Sequence, residues 1–89
     1  EEPAKSRREI IREMIDYINH WREKSIHPHY IIRHMLGLFS HQPGNKSWKR
    51  YLSENAYKPD VKAEILWEAT ERVPEWVLNA APEAEQQVP

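Results

Sequence analysis

The chain has 89 residues and a net charge of -1, and it contains no cysteine. A length below 100 residues is typical of one small domain that buries only about 60% of its unfolded surface. The lack of cysteine excludes disulfides, thiolate metal sites and a thiol nucleophile, and it fits a reducing compartment such as the cytoplasm.

No apolar run approaches the roughly 20 residues that span a bilayer, so we expect no membrane segment. The first residue is Glu1 rather than Met. We therefore expect the chain to have been excised or processed from a longer protein, and a piece of a protein need not carry a whole activity.

The first predicted helix runs from about Arg7 to Glu23. Ser6, followed three residues later by Glu9, is typical of a capping box, in which each side chain bonds a free backbone amide. The apolar residues then return at about 100° per residue and form one stripe. These residues are Ile10, Ile11, Met14, Ile15, Tyr17, Ile18 and Trp21.

The second predicted helix runs from about Pro28 to Ser40. Proline suits a first helical turn, where its missing amide costs nothing. The apolar arc consists of Ile31, Ile32, Met35, Leu36, Leu38 and Phe39. Gly37 lies on the polar arc with Arg33, where it costs roughly 1 kcal/mol relative to alanine. A glycine there permits close approach of another backbone, either within the bundle or from a partner.

The third predicted helix runs over 46–55, with Asn45 as its cap. Trp48, Tyr51 and Leu52 are expected to face inward. Lys46, Lys49, Arg50 and Ser53 follow i, i+3, i+4, i+7 spacing and share the outer face.

The fourth predicted helix runs over 61–72, with Asp60 as its cap and Pro74 after its end. Residues 75–81 can add one further turn that contains Trp76 and Leu78, and the polar tail from Pro82 is expected to be partly disordered. Strand-like alternation of useful length is missing from the sequence. The predicted fold is all-α, a small four-helix bundle, with a helical domain over 1–73 and a short extension and flexible tail over 74–89.

The charges are unevenly distributed along the chain. Residues 1–19 carry four Lys or Arg against five acids, residues 20–51 carry six against one, and residues 52–89 carry three against eight. All five histidines lie in the basic middle block. This pattern favours a local anionic partner, although chance clustering on a solvated helix face explains the same charges.

The basic outer face of the third helix is the strongest candidate binding surface. Lys46, Lys49 and Arg50, with Arg33 on the preceding helix, can line a groove that follows a phosphate backbone. Such contacts position a nucleic acid without reading its sequence.

Candidate catalytic and metal sites are weak. The sequence shows no nucleophile elbow, no Gly-rich phosphate loop and no paired carboxylates in an apolar setting. Successive histidines from His27 to His41 are 2, 5 and 7 residues apart, whereas a metal pair on one helix needs a spacing of four. His34 and His41 fall nearly in line on the second helix and are expected to reach a phosphate or a partner surface.

Several motifs resemble one known family. RHMLGLF at 33–39, QPG at 42–44, WKRYLSENA at 48–56 and AEILWEA at 63–69 are similar to the C-terminal helical domain of the bacterial tRNA-dihydrouridine synthases of the A type. HPHYIIRH at 27–34 fits the same domain. The resemblance covers about Ser6 to Ala69, and the stretch from Val73 to Pro89 departs from the family pattern.

The resemblance implies a function for the whole enzyme and a smaller one for this chain. The enzymes reduce uridine to dihydrouridine in the D-loop of tRNA, with FMN bound in an N-terminal TIM barrel, NADPH as reductant and a barrel cysteine as general acid. The helical domain grips the tRNA. By this resemblance the chain binds tRNA as a monomer next to the barrel domain and has no catalytic residue, cofactor site or metal site of its own. We expect Arg33, Lys46, Lys49 and Arg50 to hold tRNA phosphates, with His34, His41 and Asn55 as secondary candidates.

Two alternatives remain open from the sequence. In the first, the chain is a protein-interaction module that docks on a barrel domain or another subunit without touching RNA. In the second, it is a helix-turn-helix DNA binder, which needs base-reading Asn or Gln on the outer face of the third helix. That face carries only Lys, Arg and Ser.

Overall fold

The computed structural model describes residues 4–82, and every regular element in this range is helical. The elements are α1 (Arg7–Arg22), α2 (His29–Ile32), a 3-10 turn (Arg33–Met35), α3 (Asn45–Asn55), α4 (Ile65–Thr70) and α5 (Glu75–Leu78). The prediction of an all-α fold is confirmed. A regular four-helix bundle is not confirmed, because two of the four predicted helices are shorter and a fifth helix is present. The predicted disordered tail falls mainly on 83–89, outside the described residues.

Helix α1 matches its prediction closely. The Ser6 hydroxyl accepts from the Glu9 amide at 3.1 Å, and the Glu9 carboxylate accepts from the Ser6 amide at 3.0 Å. The capping box therefore sets the first residue of the helix. The stripe then buries Ile11, Ile15 and Ile18 completely or nearly so.

The second predicted helix is wrong in its length. Helix α2 spans only His29–Ile32, followed by the 3-10 turn and by further turns as far as residue 41. The Met35 carbonyl accepts from the Leu38 amide at 3.1 Å and from the Trp48 indole at 3.2 Å. These two donors satisfy the Met35 carbonyl, so it does not need the bond from the amide four residues later that an α-helix would provide. Gly37, two residues after Met35, also has a low helix propensity.

The predicted caps of the third and fourth helices are also wrong. Helix α3 starts at Asn45 itself, and the residue before it, Gly44, has a left-handed φ of 88°. Helix α4 starts at Ile65 rather than near Asp60, because the preceding backbone bonds are of the i→i+3 kind.

The core joins residues from every helix. Its buried members are Ile11, Ile15, Ile18, Ile32, Met35, Phe39, Trp48, Leu52, Ala56, Val61, Ala63, Ile65, Leu66, Ala69, Val73, Val77 and Leu78. Phe39 and Trp48 meet edge to face with ring centroids 4.6 Å apart. Six residues of the predicted apolar faces pack against this core but are only partly buried, namely Ile10, Met14, Ile31, Leu36, Leu38 and Tyr51. Tyr17, which was placed on the apolar stripe of α1, is 51% exposed.

The segment after Pro74 belongs to this core. Val77 and Leu78 are buried, whereas Trp76 is 64% exposed. Arg7, only 1% exposed, donates from Nε to the Leu38 carbonyl and from Nη1 to three carbonyls of the C-terminal segment, those of Val77, Ala80 and Ala81. The first residue of α1 thus holds the end of the described chain in place. A domain boundary at residue 73 stays a prediction.

None of the helices in the described range is long and apolar enough to cross a lipid bilayer.

Candidate nucleic-acid interface

The outer face of α3 is an exposed basic ridge. Trp48 and Leu52 are fully buried on the inner side of this helix. At about 100° per residue, Arg50 lies opposite these two residues, and Lys46 and Lys49 extend the arc to about 100° toward the Leu52 side. All three side chains are exposed. We call these three residues the α3 ridge.

Most of this positive charge has no carboxylate beside it. Arg50 pairs with Glu54 at 3.2 Å, and both side chains are more than half exposed, so solvent screens the pair and it contributes little. Within residues 4–82, the other ion pairs lie elsewhere, between Lys5 and Glu13 and between Arg8 and Glu75. Lys46 and Lys49 are therefore available to an anion.

Arg33 lies across a narrow groove from α3. It is exposed at the start of the 3-10 turn, and it lines this groove together with Leu52 and Ser53 of α3. Arg50 lines a different groove, with Ser47 and Arg72, on the other flank of α3. The four predicted cations thus lie along α3 and on both of its sides rather than in one groove. Their contact with RNA stays a prediction.

The remaining predicted RNA-binding residues are scattered. His34 is exposed in the 3-10 turn, and His41 is exposed at a positive φ of 68° in the turn before α3. Because the helix that was expected to align them is broken, they do not share one helical face. Asn55 is half-buried, and its side-chain amide donates to the Tyr51 carbonyl at 2.8 Å. It faces away from the α3 ridge.

A cluster of four aromatic rings was not predicted. The His29 ring lies 4.1 Å from Tyr30, 4.7 Å from Tyr57 and 4.7 Å from His27, measured between centroids. We call these four residues the ring cluster. The HPHY motif contains three of them, but Tyr57 follows α3, and only the fold brings it to the others. Tyr30 is 54% exposed and Tyr57 is 63% exposed.

Hydrogen bonds hold the ring cluster in place. His27 Nε2 lies 2.9 Å from the Lys58 carbonyl, which only accepts, so this nitrogen carries the proton. His27 Nδ1 then accepts from the His29 amide at 3.1 Å and from His29 Nδ1 at 2.8 Å. Partial burial, then the neighbouring His27, then the Arg33 cation lower the pKa of His29 below its ordinary value. His27 Nδ1 therefore carries no proton in this network, and the lowered pKa of His29 favours its neutral form.

Arg72 is a second feature that the sequence did not reveal. Its guanidinium carbon lies 3.9 Å from the centroid of the Tyr51 ring, and Nη1 donates to the Glu68 carbonyl at 2.9 Å. The Tyr51 hydroxyl donates to the Glu68 carboxylate at 2.6 Å, and this bond raises the pKa of Tyr51. Arg72 belongs to the acidic third of the sequence, yet it adds a cation to the Arg50 side of α3.

The described residues also bear on metal binding. Among residues 4–82, no group of three or more His, Asp and Glu is placed to hold a metal ion.

Comparison with known proteins gives several bacterial relatives. A tRNA-dihydrouridine(20/20a) synthase of Vibrio parahaemolyticus is 44% identical over 72 residues, which are 81% of this chain and 22% of that protein. The Vibrio cholerae protein of the same name is 40% identical over 74 residues, 83% of this chain and 23% of its own. The Shigella flexneri protein of that name is 44% identical over 64 residues, 72% of this chain and 19% of its own.

The chain thus spans about a fifth of the length of these relatives. No family model matches the chain, and no solved structure matches it.

Proposed function

This chain is homologous to a segment of the tRNA-dihydrouridine(20/20a) synthases, as its motifs predicted, and from this we propose that it is a tRNA-binding domain. In this proposal it holds the D-loop of tRNA so that an N-terminal barrel domain, in the cytoplasm, can reduce a uridine to dihydrouridine. The chain acts as a monomeric module that binds tRNA and takes no part in the reduction itself.

The α3 ridge is the observation that supports this proposal. Lys46 and Lys49 are exposed and lack a carboxylate partner in the described range, and Arg33 and Arg72 add cations on the two flanks of α3. Phosphates neutralised by such side chains release counterions, which drives binding at low salt. Contacts to phosphates fix the position of a nucleic acid but carry no sequence information. A surface of this kind can orient a tRNA without reading its sequence.

We propose that FMN and NADPH bind outside this chain. The groove between His29, Leu36 and Tyr57 has a volume of about 20 Å³, which is room for about one water molecule. The groove between Tyr51, Lys58 and Glu68 is open to solvent. Neither of these two grooves encloses a flavin, which supports a flavin site outside this chain. No step of the reduction is assigned to the described residues.

Titration of labelled tRNA at several salt concentrations tests the proposed grip. We compare the Lys46→Ala/Lys49→Ala variant with a matched control, Lys5→Ala/Lys62→Ala, which removes the same charge from the residues that precede α1 and α4. Each lost phosphate contact should reduce the slope of log affinity against log salt by about 0.7–0.9. The ridge variant should therefore lose affinity and about 1.4–1.8 units of slope, without a change in which tRNA is preferred.

A further variant extends the test to Arg33, Lys46, Lys49 and Arg50 together. It should flatten the salt dependence and remove most of the affinity. If the control pair weakens binding as much as the ridge pair, the attraction is diffuse and the ridge is not a binding surface. If the fourfold variant stays folded and binds tRNA like the wild type, docking on another protein becomes the better account.

A further inference from the structure

The ring cluster has a surface that phosphate binding does not use. Single exposed aromatic residues are common on protein surfaces and need no explanation. Here two half-exposed tyrosines, Tyr30 and Tyr57, contact the same His29 ring. That ring is in turn fixed by the bonds from His27 to His29 and to the Lys58 carbonyl. Both tyrosine rings therefore pack against an imidazole that is already held in place.

The charges around the ring cluster are those that suit RNA. Arg33 lines the same groove as His29 and Tyr57, and it follows Tyr30 by three residues, which places both on one side of a helical turn. None of the eight residues that line this groove is acidic. Across the groove, Ser53 is one helical turn after Lys49 of the α3 ridge. Arg33 thus borders the rings directly, and Lys49 lies one helical turn from Ser53 on the far side of the groove.

The size of the groove decides how a base can bind. A volume of about 20 Å³ is far too small for a nucleobase, so a base must lie on the outer, exposed parts of the tyrosine rings. Bases stack on exposed tyrosine, histidine and arginine planes wherever proteins hold unpaired nucleotides. Such stacking tolerates any base, because every base has a π-face.

We propose that Tyr30 and Tyr57, held by His29 and flanked by Arg33, form a platform on which an unpaired base of RNA stacks while the α3 ridge holds the phosphates. This inference rests on the proposed function, and it adds a second kind of contact to it. The platform recognises nucleotides that are out of a helix, as in a loop, and excludes none by base identity.

The test uses two short oligomers that carry the same charge. One is oligouridylate, whose bases stack little on one another, and the other is an abasic ribose-phosphate chain of the same length. Stacking of one base is worth about 1–3 kcal/mol, or roughly 5- to 150-fold in affinity. The wild-type chain should bind oligouridylate more tightly by a factor in that range. The Tyr30→Leu/Tyr57→Leu variant should lose this preference and keep its affinity for the abasic chain.

Two control variants make the result specific. Tyr17→Leu/Trp76→Leu removes two aromatic residues of similar exposure, 51% and 64%, outside the ring cluster, and it should keep the preference for oligouridylate. Tyr30→Phe/Tyr57→Phe keeps the rings and removes the hydroxyls, and it should also keep the preference. Thermal melting by circular dichroism checks that each variant is folded.

Each other outcome overturns the platform. If the wild type binds both oligomers equally and with steep salt dependence, phosphate binding stands and stacking fails. If the leucine variant loses affinity for both oligomers equally, the rings act through the fold. If the Tyr17→Leu/Trp76→Leu variant also loses the preference for oligouridylate, bases contact any exposed aromatic residue and the platform is not specific. If neither oligomer binds at low salt, the platform fails, and loss of tRNA binding in the same buffer then removes the proposed function as well.

Discussion

Replacing Arg7 with methionine should destabilise the domain strongly. Methionine keeps an unbranched side chain, although a shorter one, and cannot donate hydrogen bonds. The carbonyls of Leu38, Val77, Ala80 and Ala81 then lose a donor. The contact of the guanidinium with the Phe39 ring, at 5.9 Å, is lost too.

The magnitude follows from the geometry of these bonds. They are 3.1–3.4 Å long, which is longer than strong charge-assisted bonds, so each contributes about 0.5–1.5 kcal/mol. Methionine also avoids the cost of burying a charge, which offsets part of the loss. We expect a net cost of about 2–4 kcal/mol. For a domain of this size, that corresponds to a fall in Tm of roughly 10–30 °C.

Urea unfolding followed by tryptophan fluorescence measures this cost, with Arg8→Met as the matched control. Arg8 also reaches the C-terminal segment, through Asn79 at 3.0 Å and Glu75 at 3.8 Å, but at the surface, where an ion pair contributes at most about 1 kcal/mol. The cost of Arg7→Lys should lie between those of Arg7→Met and Arg8→Met, because a single ammonium cannot donate to all the carbonyls that are arranged around the planar guanidinium. If Arg7→Met costs no more than Arg8→Met, Arg7 does not hold the C-terminal segment.

Three further predictions concern the core, a turn and a titrating group. Phe39→Ala should cost about 3–5 kcal/mol by differential scanning calorimetry, since Phe39 is fully buried against Trp48; a Tm within a few degrees of wild type would contradict its place in the core. Gly44→Ala should cost about 2–5 kcal/mol in urea unfolding, because φ is 88° and a Cβ would lie 2.5 Å from the Arg72 carbonyl oxygen. Gly37→Ala, whose Cβ would meet only the Ser40 hydroxyl at 3.5 Å, should be neutral or stabilising. Equal costs for the two variants would refute this reasoning. The pKa of His29 is lowered in the folded state, so on acidification the unfolded chain takes up a proton first, and the free energy of unfolding should fall as the pH drops below about 6.5. The slope of the free energy of unfolding against pH, between pH 7.5 and 5.5, should be smaller in His29→Gln. An unchanged slope would exclude His29 as a source of the pH dependence.

The parts of the fold that depend on local patterns could be predicted from the sequence. The capping box at Ser6 and the apolar stripe of α1 involve residues within a few turns of one another. The break after α2 could not be predicted in this way, because it involves a hydrogen bond from Trp48, which lies 13 residues after its acceptor, Met35. The burial of Arg7 was missed for a similar reason, since its acceptors in the C-terminal segment lie 70 or more residues away.

The candidate interface shows the same division. The α3 ridge follows from helical periodicity alone, because its residues share one helix. Tyr57 and Arg72 reach their places only through tertiary packing. A residue type and its spacing show which side chains share a helix face, but not which face of another helix lies beside it.

The position of Arg7 has a consequence for the folding pathway. Its bonds to Val77, Ala80 and Ala81 join residues 70–74 apart in the chain. Closing a loop of that length costs more entropy than closing one helical turn, so these bonds are expected to form after the rate-limiting step. Substitutions at Arg7 should then leave the folding rate nearly unchanged and accelerate unfolding. The hydrogen bonds of Arg7 to the C-terminal segment would therefore set the unfolding rate, and with it the lifetime of the native state, but not the folding rate.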